Sequence, residues 1–451
     1  MLHKIKRVFQ KTRLNSFILS LSLPVFLEMI SHTMIQIADT MMVGKLGAVA
    51  IGATGLGGVA YFTVLSFIFN SSSSVQILTA RRFGEKNFTG VGRVAISSIG
   101  FSIFGGVVFS LTGYFATGPF IRLLSDDPEI IKTAGSYMEI RFLGSIFFFV
   151  MFVVRAFLNG LGLTYLGMIS AFIVTFSNIF MNWVLIYGNL GFKAYGVEGA
   201  AIASSLSGLI GMLVMLSFLF KKDVLKYIKL TDTFFDWEIL KEVFYLGFAP
   251  GVDGVLTNLA FLIFTKFAGM VSTTVLAASS IVFSIMTISF MPGFAFGIAA
   301  TTLVGQALGA GKVRLAYEGT FRSASYSALL MGFVGVIFII FGREIISLFS
   351  TDSLIIAETY PALFVISLIQ VGDAYHMVVG SALRSAGMVY WVMIVYVFVS
   401  FCVMLPLGYY LGVYLKFGAL GLWSSVFVWI FLMCVAFVWK FRKREWINIK
   451  V

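Results

Sequence analysis

Long apolar runs dominate this sequence: about a dozen of them, each of about 20 residues or more, fill residues 15 to 440. A helix needs about 20 apolar residues to cross the hydrocarbon core of a bilayer. The alternating segments of membrane β-barrels do not occur in the sequence. We therefore predict an all-α polytopic membrane protein. Its twelve transmembrane helices are expected near residues 15–43, 48–80, 94–117, 133–158, 164–188, 196–220, 243–268, 275–305, 317–341, 357–383, 389–415 and 417–440.

The composition leaves little room for soluble domains, since 59% of the residues are hydrophobic and only 12% are charged. The basic residues cluster at both ends of the chain, after every second span and in the central segment. The positive-inside rule then predicts that both termini are cytoplasmic. The net charge of +12 therefore indicates topology and not a nucleic-acid partner. The basic first thirteen residues lead into a run too long and too acidic for a signal peptide, which predicts a retained helix.

The two halves of the sequence repeat one another. Segments 79–95, 120–131 and 157–162 match segments 305–320, 345–356 and 383–387 at one offset of 225. We predict an N-lobe of six helices over 1–220, a cytoplasmic linker over 221–242 and a C-lobe of six helices over 243–451. An even number of spans per half gives a pseudo-two-fold axis along the membrane normal and a substrate site between two bundles. Among the helix breakers, Pro24 and Pro250 lie near the starts of spans 1 and 7, and Pro292 is expected to interrupt span 8.

The first span carries four polar residues, Glu28, His32, Gln36 and Asp39. On a helix, residues 28, 32 and 39 lie within about 40° of one another, with residue 36 at the edge of the same stripe. An ionised carboxylate at mid-membrane costs about 3 kcal/mol, so the stripe should face a cavity or a partner. Asp39, near the outer end, is the candidate for cation binding. Glu28 has either a structural role, paired with His32 or with a Lys or Arg near the cytoplasmic face, or forms a proton relay with His32. Gln36 is a candidate for substrate binding.

The second half has polar residues of its own inside the spans. One face of span 10 carries Gln370, Asp373 and His376. Asp253 of span 7 should lie at the depth of Asp373, because the two spans run in opposite directions. We consider both acids as cation sites, His376 as a relay residue and Gln370 as a substrate contact. Arg155 and Arg384, near the inner ends of spans 4 and 10, are expected to serve as gate or topology residues.

No enzyme motif occurs in the sequence. The run GQALGAGK at 305–312 has the wrong spacing for a phosphate loop, and Val313 follows where Ser or Thr is required. Catalytic triads, metal clusters and cofactor motifs are likewise missing from the sequence, and both cysteines lie in apolar runs. We expect no enzyme activity and no cofactor. Without a nucleotide site, the energy for transport would come from an ion gradient.

Four local patterns resemble the multidrug and toxic compound extrusion (MATE) family: PVFLEMISHTMIQIADTMMVGKLGAVAIGA at 24–53, SNIFMNWVLIYG at 177–188 with GVEGAAIAS at 196–204, LVGQALGAG at 303–311, and QVGDAYHMVVGSALRSAG at 370–387. They are spread over both halves. The resemblance implies a two-lobed cation-coupled exporter of varied, often cationic, drugs with a V-shaped central cavity.

The resemblance also implies roles for single residues. The cation site of the N-lobe would consist of Asp39, Asn178, Asn182 and Ser204. Asp39, Asn178 and Asn182 are the residues expected to hold Na⁺ if the coupling ion is sodium, whereas a proton needs only the carboxylate. Asp373 looks like the tenth-helix Asp of the sodium-coupled branch. The seventh-helix Glu of that branch is replaced here by Asn258, so a C-lobe sodium site is in doubt, with Asp253 as a substitute that no motif supports.

The predicted function is secondary active efflux of organic compounds in exchange for inward H⁺ or Na⁺, by a monomer in the cytoplasmic membrane. One alternative is a flippase for lipid-linked saccharides, which needs basic residues in its cavity. The other is a structural or signalling membrane protein that transports nothing, which gives no reason for buried acids in both halves.

Overall fold

A computed structural model describes residues 2–123, 126–228 and 235–449, and every regular element in these ranges is helical. Within these described ranges, eleven helices are long and apolar enough to span a membrane, and one bent pair completes a set of twelve. The predicted fold class is confirmed. The spans are α1 (Leu2–Gly44), α2 (Ala48–Gly84), α3 (Phe88–Arg122), α4 (Pro128–Leu143 with Ser145–Leu161), α5 (Thr164–Tyr187), α6 (Gly196–Leu219), α7 (Trp237–Val271), α8 (Thr273–Gly309), α9 (Val313–Ser347), α10 (Ser353–Ser385), α11 (Val389–Tyr414) and α12 (Gly418–Arg442).

Two helices differ from the prediction in where they break. α4, predicted as one span, bends by 46° at Gly144. A Cβ there would lie 2.4 Å from Ser205 Oγ, so the missing side chain lets α6 approach the bend. The predicted interruption at Pro292 is wrong, because α8 continues through it to Gly309. The helix is packed tightly at this point: a Cβ at Gly293 would lie 2.3 Å from Met377 Sδ of α10.

The chain packs into two compact units. The N-unit comprises Leu27–Gly251, and the C-unit comprises Met1–Phe26 with Val252–Val451. The sequence places the lobe boundary at the linker, whereas the packing division falls inside α1 and inside α7. The largest core belongs to the C-unit, where Trp423 is fully buried and packs edge-on against Phe264 and Phe283, with ring centroids 5.3 and 4.8 Å away.

The flanks of the predicted linker bind to the N-unit. Residues 229–234 of this segment lie outside the described residues, as do residues 124–125 of the repeated segment 120–131. Before the gap, the Tyr227 ring packs 5.1 Å from Phe88 and 5.8 Å from Phe83. After it, Arg93 Nε donates to Asp236 Oδ2 at 2.6 Å. The start of α7 is therefore held to the start of α3.

Replacing Asp236 with Asn should loosen the first turn of α7. Burial raises the pKa of Asp236, but the hydrogen bonds from Arg93 and from the backbone N–H of Ile239 lower it more, so its pKa lies below the usual value. The contact is thus intact at neutral pH and is lost as the pH falls through that lowered pKa. At neutral pH, hydrogen exchange of residues 237–240, corrected for intrinsic rates, should be faster in Asp236→Asn than in the wild type. In the wild type, exchange of these residues should become faster only in acid. The exposed Asp223→Asn is the matched control, and equal protection in all three proteins would contradict this role.

Candidate functional site

Asp39 begins a chain of hydrogen bonds that crosses the N-unit from α1 to α6. Asn182 of α5 donates to Asp39 Oδ1 through its amide nitrogen, which also lies 3.1 Å from Asn178 Oδ1. Asn178 in turn donates to Ser204 Oγ and Ser207 Oγ of α6, each at 3.4 Å. Both asparagines are buried, whereas Asp39 is only partly so. The four residues of the predicted N-lobe cation site, Asp39, Asn178, Asn182 and Ser204, therefore lie together.

Two further contacts fix the rotation of α1 against α5. Ser31 Oγ lies 2.6 Å from Thr175 Oγ1, and Tyr187 donates through its hydroxyl to the backbone oxygen of Met42 at 2.8 Å. Together with the Asp39–Asn182 bond, these contacts lie at three levels along the two helices. The carboxylate of Asp39 is therefore turned toward α5 by the packing of its whole helix.

A permanent positive charge acts on this site. The guanidinium of Arg141, on the first segment of α4, interacts electrostatically with Asp39 and with Tyr137. It is packed over the rings of Tyr61 and Phe148, 4.7 and 5.5 Å from their centroids. A nearby cation favours the ionised form of a carboxyl and disfavours the binding of a second cation. Arg141 therefore limits the net charge that the site accepts.

The donors at Asp39 suit a monovalent cation or a proton. One carboxylate is accompanied by the amide oxygens of Asn178 and Asn182 and the hydroxyl of Ser204, and hard cations prefer such oxygen ligands. Asn182 Oδ1 is buried and has no hydrogen-bond partner within the described part of the chain. That oxygen fits a ligand of a bound cation. In residues 2–123, 126–228 and 235–449, no three His, Cys, Asp or Glu side chains cluster as a transition-metal site would require.

Glu28 differs from Asp39 in its partner, which is an arginine and not a neutral amide. It is buried, and its Oε1 lies 2.7 Å from Arg155 Nε of α4 but 3.9 Å from His32 Nε2. His32 is 46% exposed at its side chain, and Gln36 is exposed as well. The relay role for Glu28 and His32, and the substrate role for Gln36, stay predictions.

In the C-unit, Asp253 pairs with an arginine. Arg384 of α10 donates through Nη2 to Asp253 Oδ2, and Thr257 Oγ1 lies 3.3 Å from Asp253 Oδ1. Asp253 is only 4% exposed. Asn258, in the place of the glutamate that the resemblance implies, is half-buried further along the same helix. Asp253 is thus neutralised by a side chain of its own unit.

Asp373 and His376 form a second buried pair in the C-unit. His376 Nδ1 lies 2.8 Å from Asp373 Oδ1, and the imidazole is surrounded by the rings of Tyr396, Trp429 and Phe437 at 5.7 to 6.3 Å. One turn earlier, Gln370 Oε1 accepts from Ser289 Oγ at 2.5 Å. The predicted face of span 10 is buried and polar, but its ion-binding role stays a prediction.

Sequence reasoning missed several residues of these clusters. Ser207, Thr257 and Ser289 are hydroxyl partners that carry no motif, and short polar residues are common in such spans. Arg141 left a signal, because an ionisable residue within a membrane span is a candidate functional residue by default.

Comparison with known proteins identifies the family. The model of the MatE family matches residues 24–184 and 251–410, one stretch in each half. The probable multidrug resistance protein NorM of Thermotoga maritima is 27% identical over 95% of this chain and 92% of its own length. The probable multidrug resistance protein YoeA of Bacillus subtilis is 27% identical over 92% of each chain.

Solved structures agree with the fold. A MOP superfamily transporter from Pyrococcus furiosus superposes with a TM-score of 0.89 at 20% identity, covering 96% of both chains. A MATE crystal structure in complex with MaL6 also gives a TM-score of 0.89, at 21% identity and 96% coverage of both chains. The predicted resemblance is confirmed: this multi-pass membrane protein belongs to the MatE family of multidrug and toxic compound extrusion transporters.

Proposed function

We propose that this protein is a secondary active antiporter that exports organic compounds, many of them cationic, in exchange for inward H⁺ or Na⁺. The observation that carries the proposal is the Asp39 carboxylate, held inside a membrane span by Asn182 at the head of a hydrogen-bond chain. An acid inside a membrane span is energetically costly, and such residues mark ion or proton pathways. The Thermotoga and Bacillus relatives are named probable multidrug resistance proteins, which supports drugs as the class of substrate.

The mechanism is an exchange between two conformations that open to opposite sides of the membrane. A cation arriving from outside binds at Asp39, with Asn178 and Asn182 as neutral ligands if the cation is sodium. One ligand affects another only through its different affinity for the two conformations. Cation binding therefore has to favour the conformation that binds drug weakly, and drug release follows. We further propose cytoplasmic termini and a monomer in the cell membrane.

A gradient exchange tests the function and identifies the ion. The full chain is reconstituted in proteoliposomes, and uphill movement of ethidium, a fluorescent organic cation, is measured under opposing sodium or proton gradients. We expect one gradient to drive ethidium against its concentration difference, because coupling links the two free energies. The other gradient, imposed alone at constant membrane potential, should drive none.

The control is the same measurement with Asp39→Asn, in which neither gradient should act. Ethidium movement that needs ATP, or that ignores both gradients in the wild type, contradicts the proposal. The lipid and the probe are the same under both gradients, so passive leak of ethidium contributes equally to the two measurements.

A further inference from the structure

The carboxylate of Asp253 has both oxygens engaged inside the C-unit. Arg384 donates to Oδ2, and Thr257 Oγ1 lies 3.3 Å from Oδ1. With 4% exposure, an ionised Asp253 needs a positive partner, since an uncompensated charge in such a place is very unfavourable. That partner is the side chain of Arg384, which, unlike a bound ion, cannot leave the protein.

Arg384 is itself held in place. It lies in the last turn of α10, where the carbonyl ends of the helix favour a positive charge. Its guanidinium carbon lies 5.1 Å from the centroid of the Tyr396 ring, an arrangement that adds cation–π attraction. An arginine does not lose its proton in proteins, so the positive charge beside Asp253 is permanent.

In the N-unit, an ion pair joins the corresponding helices, α1 and α4. Glu28 lies four residues after Pro24 of α1, as Asp253 lies three residues after Pro250 of α7. Their partners come from the fourth helix of each half, where Arg155 Nε lies 2.7 Å from Glu28 Oε1. In both units an acid just past a proline is thus neutralised by an arginine of the same chain.

A mobile cation at Asp253 would have to displace this guanidinium. Displacement breaks the hydrogen bond to Oδ2 and separates a buried ion pair, which leaves an unpaired buried charge behind. At Asp39 the guanidinium of Arg141 acts only electrostatically, and the carboxylate, which is only partly buried, is hydrogen-bonded by the neutral amide of Asn182. A cation can therefore bind Asp39 without displacing an arginine from a hydrogen bond. The two units therefore differ in whether their acid is free to exchange its counter-charge.

We propose that Arg384 is a fixed counter-cation that takes the place of an exchangeable coupling ion at Asp253. This inference rests on the proposed antiport and sharpens it: Asp39 exchanges its cation in each cycle, whereas Asp253 contributes no coupling ion. Arg384 of α10 is a positioning residue, because its ion pair with Asp253 holds α7 in place.

The test removes the fixed charge and asks whether a mobile one replaces it. Thermal unfolding of the purified full chain is measured in sodium chloride and in choline chloride at equal ionic strength. We expect Arg384→Gln to unfold at a lower temperature than the wild type in choline. Added sodium, or guanidinium at concentrations too low to denature the wild type, should restore the lost stability by mass action.

Three variants serve as controls. Arg384→Lys keeps the charge and should gain little or no sodium dependence. The double variant Asp253→Asn with Arg384→Gln removes both charges and should gain none. Arg343→Gln removes an exposed arginine of the same unit and should behave like the wild type.

Two kinds of result would overturn the inference, one in the Arg384→Gln variant and one in the wild type. The first is destabilisation of Arg384→Gln that sodium, guanidinium and acid all fail to relieve, or no destabilisation at all. The second is a sodium-dependent stability of the wild type that Asp253→Asn abolishes, which would make Asp253 an exchanging site. If Arg384→Gln does not fold, the wild type and Asp253→Asn still decide. Because unfolding is measured without transport, failure of the proposed antiport would not be mistaken for failure of this assignment.

Discussion

Replacing Asp39 with Asn should abolish ion-coupled export while the protein remains in the membrane. The amide keeps the size of the side chain and its contact with Asn182 but neither binds a proton nor attracts a cation. A coupling free energy of ordinary size corresponds to about a 5- to 150-fold effect of the ion on the transported compound. This stimulation should disappear, measured as gradient-driven ethidium movement and as drug resistance of cells that produce the variant.

The matched control for this substitution is Asp223→Asn, in which an exposed carboxylate outside the spans is removed. It should keep the full stimulation. An intermediate result is expected for Asn182→Ala, since the carboxylate remains but loses its amide partner. Undiminished coupled export by Asp39→Asn, at equal protein level in the membrane, would exclude Asp39 as the coupling residue.

Replacing Arg155 with Met should cause a large loss of stability in the N-unit. Glu28 is 2% exposed, its Oε1 lies 2.7 Å from Arg155, and a Cβ at Gly167 would lie 3.1 Å from its Oε2. The carboxylate is therefore packed against the backbone of Gly167 and shielded from water, so its charge is buried when its partner is removed. Breaking a buried pair by removing one member costs about 3–5 kcal/mol, which should appear in the free energy of unfolding in micelles.

The double variant Glu28→Gln with Arg155→Met distinguishes lost charge balance from lost packing. It leaves no uncompensated charge, and exchange of a whole buried pair for neutral residues is often neutral. We therefore expect most of the stability to return. Arg314→Gln, which breaks an exposed pair with Glu318 at 2.6 Å, is the control and should change stability by only about 0–1 kcal/mol. An Arg155→Met variant as stable as this control would contradict a structural role for the pair.

The fold was accessible from sequence because the bilayer imposes a length on each apolar run. Helix ends were found at Gly44, Tyr187 and Gly309, close to the predicted ends at 43, 188 and 305. The bend at Gly144 was not found, since it depends on the approach of Ser205 from another helix and not on a local breaker.

The site was only partly accessible. Asp39, Asn178 and Asn182 were grouped because motifs and depth agreed. The sequence left the partner of Glu28 open between His32, four residues away, and a Lys or Arg near the cytoplasmic face, because only tertiary packing brings in Arg155. The same limitation applies to Asp253, whose partner Arg384 lies 131 residues away in sequence. Local spacing identifies neighbours on one helix, but the charge balance of a buried acid is decided between helices.

The hydrogen-bond chain from Asp39 through Asn182 and Asn178 to Ser204 has a direction. A carboxylate only accepts, so the first amide turns its nitrogen toward α1, and the second amide presents its oxygen to the first and its nitrogen to α6. When Asp39 takes up a proton it becomes a donor, and an amide oxygen is then the better neighbour. Rotation of both amides by half a turn would satisfy the new donor and reverse the polarity presented to the α6 hydroxyls. The protonation state of Asp39 on α1 would thus be transmitted through α5 to α6 without any movement of the backbone.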